Sequence, residues 1–331
     1  MNHPHALFCL APTRPPQLEV RPIKLPKLRA GEVLVAQRAS SINPIDAKRA
    51  GGYGKRLLSL RGAGRFPLVL GNDVTGIVQE AGPGVADLQP GALVFGLKPT
   101  GACGAHASHV AVPRQWLRTA PAGSDPVALG ALPYSFTTVW LAMEGAGLSA
   151  ATARGRRVLV SGAAGGLGQL ALQLLRHWGA VVTGVDLERN LDRCAGLGAA
   201  ALVARESPDM ARLPADFAGV LNFGSWDDDA LLARHLERDA LGYATTVHPL
   251  LGNFDRHGFL RAIWTTRQQK AAGRAAVKAR SASARYAWTV FQPSSAALDA
   301  LAEGVAAGWL RLPVGIAATL EDARAGFAHV E

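Results

Sequence analysis

Residues 158–168 read Val158-Leu159-Val160-Ser161-Gly162-Ala163-Ala164-Gly165-Gly166-Leu167-Gly168, and this stretch decides the fold. Its apolar, β-branched start predicts a buried strand. A glycine cluster follows, then a helix-forming run over 169–177. Strand, glycine turn and helix in that order suit a pyrophosphate. Glycine turns tightly and puts no Cβ between backbone and phosphate. The free N–H groups and positive dipole end of the helix then face the anion. Gly162, Gly165 and Gly168 stand three apart, a spaced variant of the dinucleotide fingerprint. The cradle is expected to comprise Gly162, Ala164, Gly165, Gly166, Leu167 and Gly168.

From residue 131 the pattern alternates. Strands are predicted at 158–161, 180–186, 200–203, 218–223 and 240–247, with helices at 167–178, 189–197 and 228–237. This implies a parallel sheet covered by helices on both faces, with its ligand at the strand C-termini. Residues 1–130 differ. Short strands at 6–10 and 33–39, dense prolines from Pro12 to Pro26 and frequent glycines suggest a strongly curved, barrel-like β domain. Beyond Tyr286 a strand at 287–291, a helix at 294–307 and a short strand around Val314 are expected.

At 331 residues the chain can bury two cores. Hydrophobic content of 49% and charge of 18% are those of a globular protein. No apolar run has membrane length, so no membrane partner is expected. The first sixteen residues make a poor signal peptide, because they lack a basic start and are broken by Pro12. Cys9, Cys103 and Cys194 cannot all pair, which suggests reduced thiols and a cytoplasmic location. A net charge of +10 would attract nucleic acid or acidic surfaces, or simply help to hold an anionic cofactor. The densest basic patch is Arg267, Lys270, Arg274, Lys278, Arg280 and Arg285. It reads as a solvated helix face without aromatic interleaving, which disfavours nucleic acid.

These features resemble the medium-chain dehydrogenase/reductase superfamily, in particular its zinc-independent quinone oxidoreductase branch. The branch's signature is matched by Gly155, Leu159, Ala163-Ala164, Gly165-Gly166-Leu167-Gly168, Gln173 and Arg176. One position departs: Arg156 stands where relatives carry an acid, amide, His, Lys or Met. Asn43-Pro44-x-Asp46, Leu70-Gly71-x-Asp73-x-x-Gly76 and Gly91-x-x-Val94 also fit. The resemblance implies a GroES-like β-rich catalytic domain at 1–130 and 286–331, with a Rossmann NAD(P)-binding domain at 131–285. Relatives usually continue past His329-Val330-Glu331 through a Gly-Lys-x-Val strand that closes the catalytic domain. Dimers are common among them.

Relatives that use catalytic zinc hold it with Cys, His and Cys. The matching positions here are Asn43, Asn72 and Tyr134, poor zinc ligands, so no metal is expected. The Cys103-Gly104-Ala105-His106-Ala107-Ser108-His109 run reads as a strand, its two histidines on opposite faces.

The resemblance places Asn43, Asp46 and Tyr53 near the reacting end, and Thr138 along the cleft. Tyr53 could pass a proton directly or through water, although an ordinary tyrosine is a weak acid at neutral pH. Asp46 serves equally well as a helix cap. Asn222, Phe223, Gly224, Thr246 and Val247 end two strands that relatives place at the nicotinamide and its ribose. Asp186 lies 18 residues beyond Gly168, where a carboxylate binds ribose hydroxyls and favours NADH. Arg189 stands close enough to clamp a 2′-phosphate, which favours NADPH. The cofactor is therefore expected to be NAD(P)H, its 2′-phosphate preference open.

Two function classes follow. One is a zinc-free NAD(P)H-dependent reductase of a quinone or α,β-unsaturated carbonyl, or of an enoyl thioester. The other is a non-catalytic NAD(P)H-binding protein with a nucleic-acid or structural role.

Overall fold

The computed structural model describes residues 3–60, 62–101, 103–311 and 313–330. Eight strands come first: β1 (His5–Cys9), β2 (Leu18–Pro22), β3 (Glu32–Ala39), β4 (Leu68–Val69), β5 (Asp73–Ala81), β6 (Leu93–Leu97), β7 (His109–Pro113) and β8 (Leu117–Thr119). They form an antiparallel three-stranded sheet, β2-β1-β4, and an antiparallel five-stranded sheet, β7-β3-β5-β6-β8. β2, which ends at Pro22, lies at a sheet edge, where proline is tolerated. Val33, Val35, Val74, Val78, Val94, Val110 and Val112 alternate along their strands and meet in one core with Ala6 and Val69 of the smaller sheet.

Six further strands are all parallel: β9 (Arg157–Ser161), β10 (Val181–Asp186), β11 (Ala199–Ala204), β12 (Gly219–Asn222), β13 (Gly242–Thr245) and β14 (Arg285–Trp288). Their order is β11-β10-β9-β12-β13-β14. The winding reverses between β9 and β12, where Ser161 pairs with Asn222. Asn222 pairs in turn with Thr245, and Thr245 with Trp288. The strand C-termini thus form one row, and the crevice above the reversal is the ligand position of such sheets.

The Pro133–Gly145 helix joins the two parts. It buries Phe136, Val139, Ala142 and Met143 in a core shared with Phe95 and Leu97 of β6 and with Leu221 and Ala244 of the parallel sheet. A Cβ on its Gly145 would lie 2.7 Å from the Ala287 Cβ, so the bare glycine lets helix and sheet close together.

Four sequence expectations change. The strand beyond residue 285 is the sixth member of the parallel sheet, so the chain leaves that sheet only after Trp288, not at 286. Residues 188–194 form a tight 3-10 run, not an α-helix over 189–197. There the Asp186 carboxylate accepts the Leu187 N–H and the Asn190 amide, a local competitor to helical bonding. The helix expected at 228–237 covers only Asp229–Ala233. Residues 313–319 have no regular structure, so no strand forms around Val314. No helix among the described residues is long and apolar enough to cross a membrane.

Candidate active site

The glycine turn is built by close backbone packing. Gly162 has φ +77°, and a Cβ there would meet Gly224 N at 2.7 Å and Phe223 C at 2.8 Å. A Cβ on Gly168 would lie 2.1 Å from the Gly162 carbonyl oxygen. Gly165 is the N-cap of the Gly166–His177 helix; it and Gly166 are exposed. The first N–H groups of a helix have no acceptor within it. The turn therefore offers unspent donors at an open, Cβ-free surface, which fits a pyrophosphate.

Asp186 lies against this turn. Its Oδ2 accepts the Ala164 N–H at 2.9 Å, and its Oδ1 accepts the Leu187 N–H at 2.8 Å and Asn190 Nδ2 at 3.1 Å. Arg189 is exposed and makes no ion pair among the described residues.

Across the reversal, the ends of β12 and β13 approach the turn. Phe223, Thr246 and Val247 are half-buried, and Gly224 is exposed. Asn222 is fully buried. Its amide donates to the Ser225 carbonyl at 2.7 Å and to Asp229 Oδ1 at 3.2 Å, while its oxygen accepts the Gly224 N–H at 3.1 Å. That side chain shapes the turn from beneath. Asp229 also accepts the Tyr243 hydroxyl at 2.6 Å and the Tyr286 hydroxyl at 2.9 Å, tying together side chains of three neighbouring strands.

The antiparallel part contributes a buried polar cluster. Asn43 caps the Pro44–Ala50 helix, its N–H bonded to Asp46 Oδ2 at 2.9 Å. Asp46 Oδ1 accepts the Gly71 N–H at 3.1 Å, so this carboxylate fixes two loops. The Asn43 amide donates to Ser41 Oγ at 2.7 Å and to Asp73 Oδ2 at 3.0 Å, and its oxygen accepts the Ser135 hydroxyl at 3.3 Å. Asp73 is wholly buried and also accepts the Ser41 hydroxyl and, at 2.6 Å, the Tyr134 N–H. Burial pushes its carboxyl up to about 7, against the pull of these three donors. Thr138 lies one helical turn beyond Tyr134 and donates to the Tyr134 carbonyl at 2.9 Å.

Tyr53 stands apart from this cluster. Burial raises its pKa, against a smaller pull from the neighbouring Gly252 backbone. Beside it a latch joins the two parts: Asp255 Oδ2 accepts the Gly54 N–H at 2.5 Å, Oδ1 accepts the Arg56 N–H at 3.3 Å, and the Arg56 guanidinium donates to the His257 carbonyl at 3.1 Å.

The donor set at Asn43, Asn72 and Tyr134 does not fit zinc. The Asn72 amide is spent on the Lys98 carbonyl at 2.8 Å and Thr100 Oγ1 at 3.2 Å. His106 Nε2 bonds the Ser41 carbonyl at 2.8 Å, and His106 precedes β7, which begins only at His109. Among the described residues no three His, Cys, Asp or Glu side chains are grouped to hold a metal ion.

The sequence reading missed Ser41, Asp73 and Ser135 as site residues. Asp73 had a signal, since it lies in the Gly71-x-Asp73 motif; its bonds to residue 134 join segments far apart in the chain.

The model of the alcohol dehydrogenase GroES-like domain matches residues 29–122. The human NAD(P)H oxidoreductase RTN4IP1, mitochondrial, is 32% identical over 298 residues, covering 85% of this chain and 74% of that protein. The quinone oxidoreductase of Coxiella burnetii superposes with a TM-score of 0.78 at 21% identity, over 99% of this chain and 95% of that one. The CurK enoyl reductase gives a TM-score of 0.80 at 20% identity, over 99% and 96%. These two likenesses bear on the fold alone. Identity to RTN4IP1 over most of both chains establishes kinship, and the chain belongs to the medium-chain dehydrogenase/reductase superfamily.

Proposed function

We propose that this chain, an NAD(P)H oxidoreductase by family, passes hydride to a conjugated acceptor, a quinone or an α,β-unsaturated carbonyl, without zinc. The observation that carries the reading is the pairing of a Cβ-free turn at the sheet reversal with a buried polar cluster whose ligand positions lack zinc donors. The name of the relative at 32% identity, NAD(P)H oxidoreductase, agrees with it.

A bound dihydronicotinamide supplies the hydride. The protein's share is binding, orientation and charge. Gly165, Gly166, Leu167 and Gly168 hold the pyrophosphate, and Asp186 with Arg189 reads the ribose. Gly224, Thr246 and Val247 would hold the nicotinamide end, and the buried Asn222 fixes the turn that carries Gly224. Asn43, Asp46 and Thr138 shape the opposite wall. Hydride addition to a conjugated acceptor leaves negative charge on its carbonyl oxygen. Tyr53 keeps its proton at neutral pH, and its O–H donates to that oxygen while water supplies the final proton.

The test is oxidation of NADH and NADPH followed spectrophotometrically against short-chain quinones and enones, with and without a zinc chelator. Turnover unaffected by the chelator and reduced about 10–100-fold in Tyr53→Phe, at unchanged cofactor affinity, supports the reading. Binding of both cofactors with no acceptor reduced would turn the assignment to a binding protein.

A further inference from the structure

The Phe259–Arg280 helix carries charge and apolar surface that neither cofactor nor acceptor chemistry uses. From Arg256 to Leu298 the sequence holds no Asp or Glu. Leu260, Trp264, Arg267, Ala271, Arg274 and Lys278 recur at spacings of four and three, which puts them on one helical face. All six are exposed. Leu260 is 83% exposed and Trp264 59%, large values for such side chains in a chain whose cores are otherwise well filled. Phe259, 55% exposed, adjoins them. Among the described residues, Arg256, Arg261, Arg267, Lys270 and Arg274 make no ion pair. The opposite face is anchored: Ala262 and Val277 are buried, and Gly273 makes room for the Tyr286 hydroxyl.

The apolar end of this stripe lies beside the latch. Asn253, on the Leu250–Arg256 helix, donates to Thr266 Oγ1 at 3.0 Å and Gln269 Oε1 at 2.7 Å, fastening that helix to the basic one. The same helix carries Asp255, which grips Gly54. Leu60, just past the Lys55–Ser59 helix on the other side of the latch, is 71% exposed.

We propose that this helix lies on an anionic lipid surface, with Phe259, Leu260 and Trp264 inserted at the headgroup level and Arg261, Arg267, Lys270 and Arg274 against the phosphates. The apolar cluster lies in the first turns only and an acid-free basic face follows it, so charge attraction to anionic headgroups leads and Phe259, Leu260 and Trp264 add insertion at one end. A second copy of the chain fits poorly, because two such faces would set like charges against each other. Nucleic acid would use the cations but would leave Leu260 and Phe259 without a partner. The helix lies on the membrane rather than crossing it. Its orientation brings the Asp255 latch and the neighbouring Tyr53 toward the lipid, where a lipid-soluble acceptor of the class proposed above would be met; only this last consequence rests on that reading.

The test is co-sedimentation of the full chain with phosphatidylcholine vesicles, alone and with about 30 mol% phosphatidylglycerol. Binding to the anionic vesicles only, weakened by salt, is expected. Leu260→Ser with Trp264→Ser, and separately Arg267→Gln with Arg274→Gln, should each weaken it about tenfold or more. NADPH quenching of intrinsic fluorescence confirms that each variant is folded, and reduction of a water-soluble quinone should be unchanged in both. No pelleting, equal pelleting with neutral vesicles, or variants that bind like the parent would overturn the proposal. So would a parent dimer that the Leu260→Ser, Trp264→Ser variant makes monomeric, or tighter binding to RNA than to vesicles. Loss of quinone reduction with vesicle binding intact would instead count against the proposed activity.

Discussion

The Asp73 carboxylate accepts the backbone N–H of Tyr134 at 2.6 Å, across 61 residues of sequence. Through this bond and its partner to Asn43, one buried side chain holds the start of the Pro133–Gly145 helix against the loop that carries Ser41 and Asn43.

Burial moves Asp73 from its ordinary 3.8 to about 7. Between those values the folded carboxyl keeps a proton that the unfolded chain has lost. Its contribution to stability is therefore complete below pH about 4 and disappears as pH rises through about 7, at up to about 1.4 kcal/mol per pH unit. Denaturant melts from pH 4 to 8 should show this slope in the parent and lose it in Asp73→Asn. That variant should match the parent best at pH 4, because its amide, like the protonated carboxyl, accepts on one side and donates on the other.

Two glycines of the cradle should respond in opposite ways. Gly168→Ala drives a Cβ into the Gly162 carbonyl and should cost at least about 3 kcal/mol in thermal denaturation. Gly165→Ala meets nothing closer than 3.4 Å, so the melting temperature should hold. The added methyl should still weaken NADPH about tenfold or more by fluorescence titration, since it intrudes on the phosphate.

Asp186 and Arg189 are expected to set cofactor choice. Asp186→Ser removes the charge that repels a 2′-phosphate and should raise the NADPH-to-NADH ratio of kcat/KM about tenfold. Arg189→Ala should lower that ratio by a similar factor. A ratio indifferent to both would mean that neither side chain reaches the ribose.

The Asp255 latch joins the Leu250–Arg256 helix to residues 54–56, beside Tyr53. Asp255→Ala strands the Gly54 and Arg56 N–H groups and should speed amide hydrogen exchange over residues 54–57. KM for the acceptor should rise several-fold with cofactor affinity unchanged.

Gln173 marks how far the sequence alone could carry the reading. Its place in the signature was plain, but its task was not: its amide donates to the Arg311 carbonyl at 2.8 Å and its oxygen accepts the Arg311 N–H at 3.0 Å. The strand–turn–helix at 158–177 was legible because glycine spacing and apolar runs are local signals. The run after Asp186 was misread as a helix because a side-chain competitor, not propensity, tightens it. The sheet membership of β14 was hidden, since a strand's partner leaves no mark on its own residues. Asn222 could be placed at a strand end, but only its bonds show its side chain turned inward.

Phe327, on the Ala323–Val330 helix, is 1% exposed in a core shared with Leu7, Leu68 and Leu70. Leu68 and Phe327 are about 260 positions apart, so during synthesis at roughly 5–20 residues per second that cluster stays open for about 10–50 s. The parallel sheet closes sooner, since the start of β9 and the end of β14 lie about 130 positions apart, a wait of about 7–26 s. A nascent chain of this protein should therefore carry the six strands of its parallel sheet while Leu7, Leu68 and Leu70 still lack Phe327, and it is in that interval that a chaperone would find them.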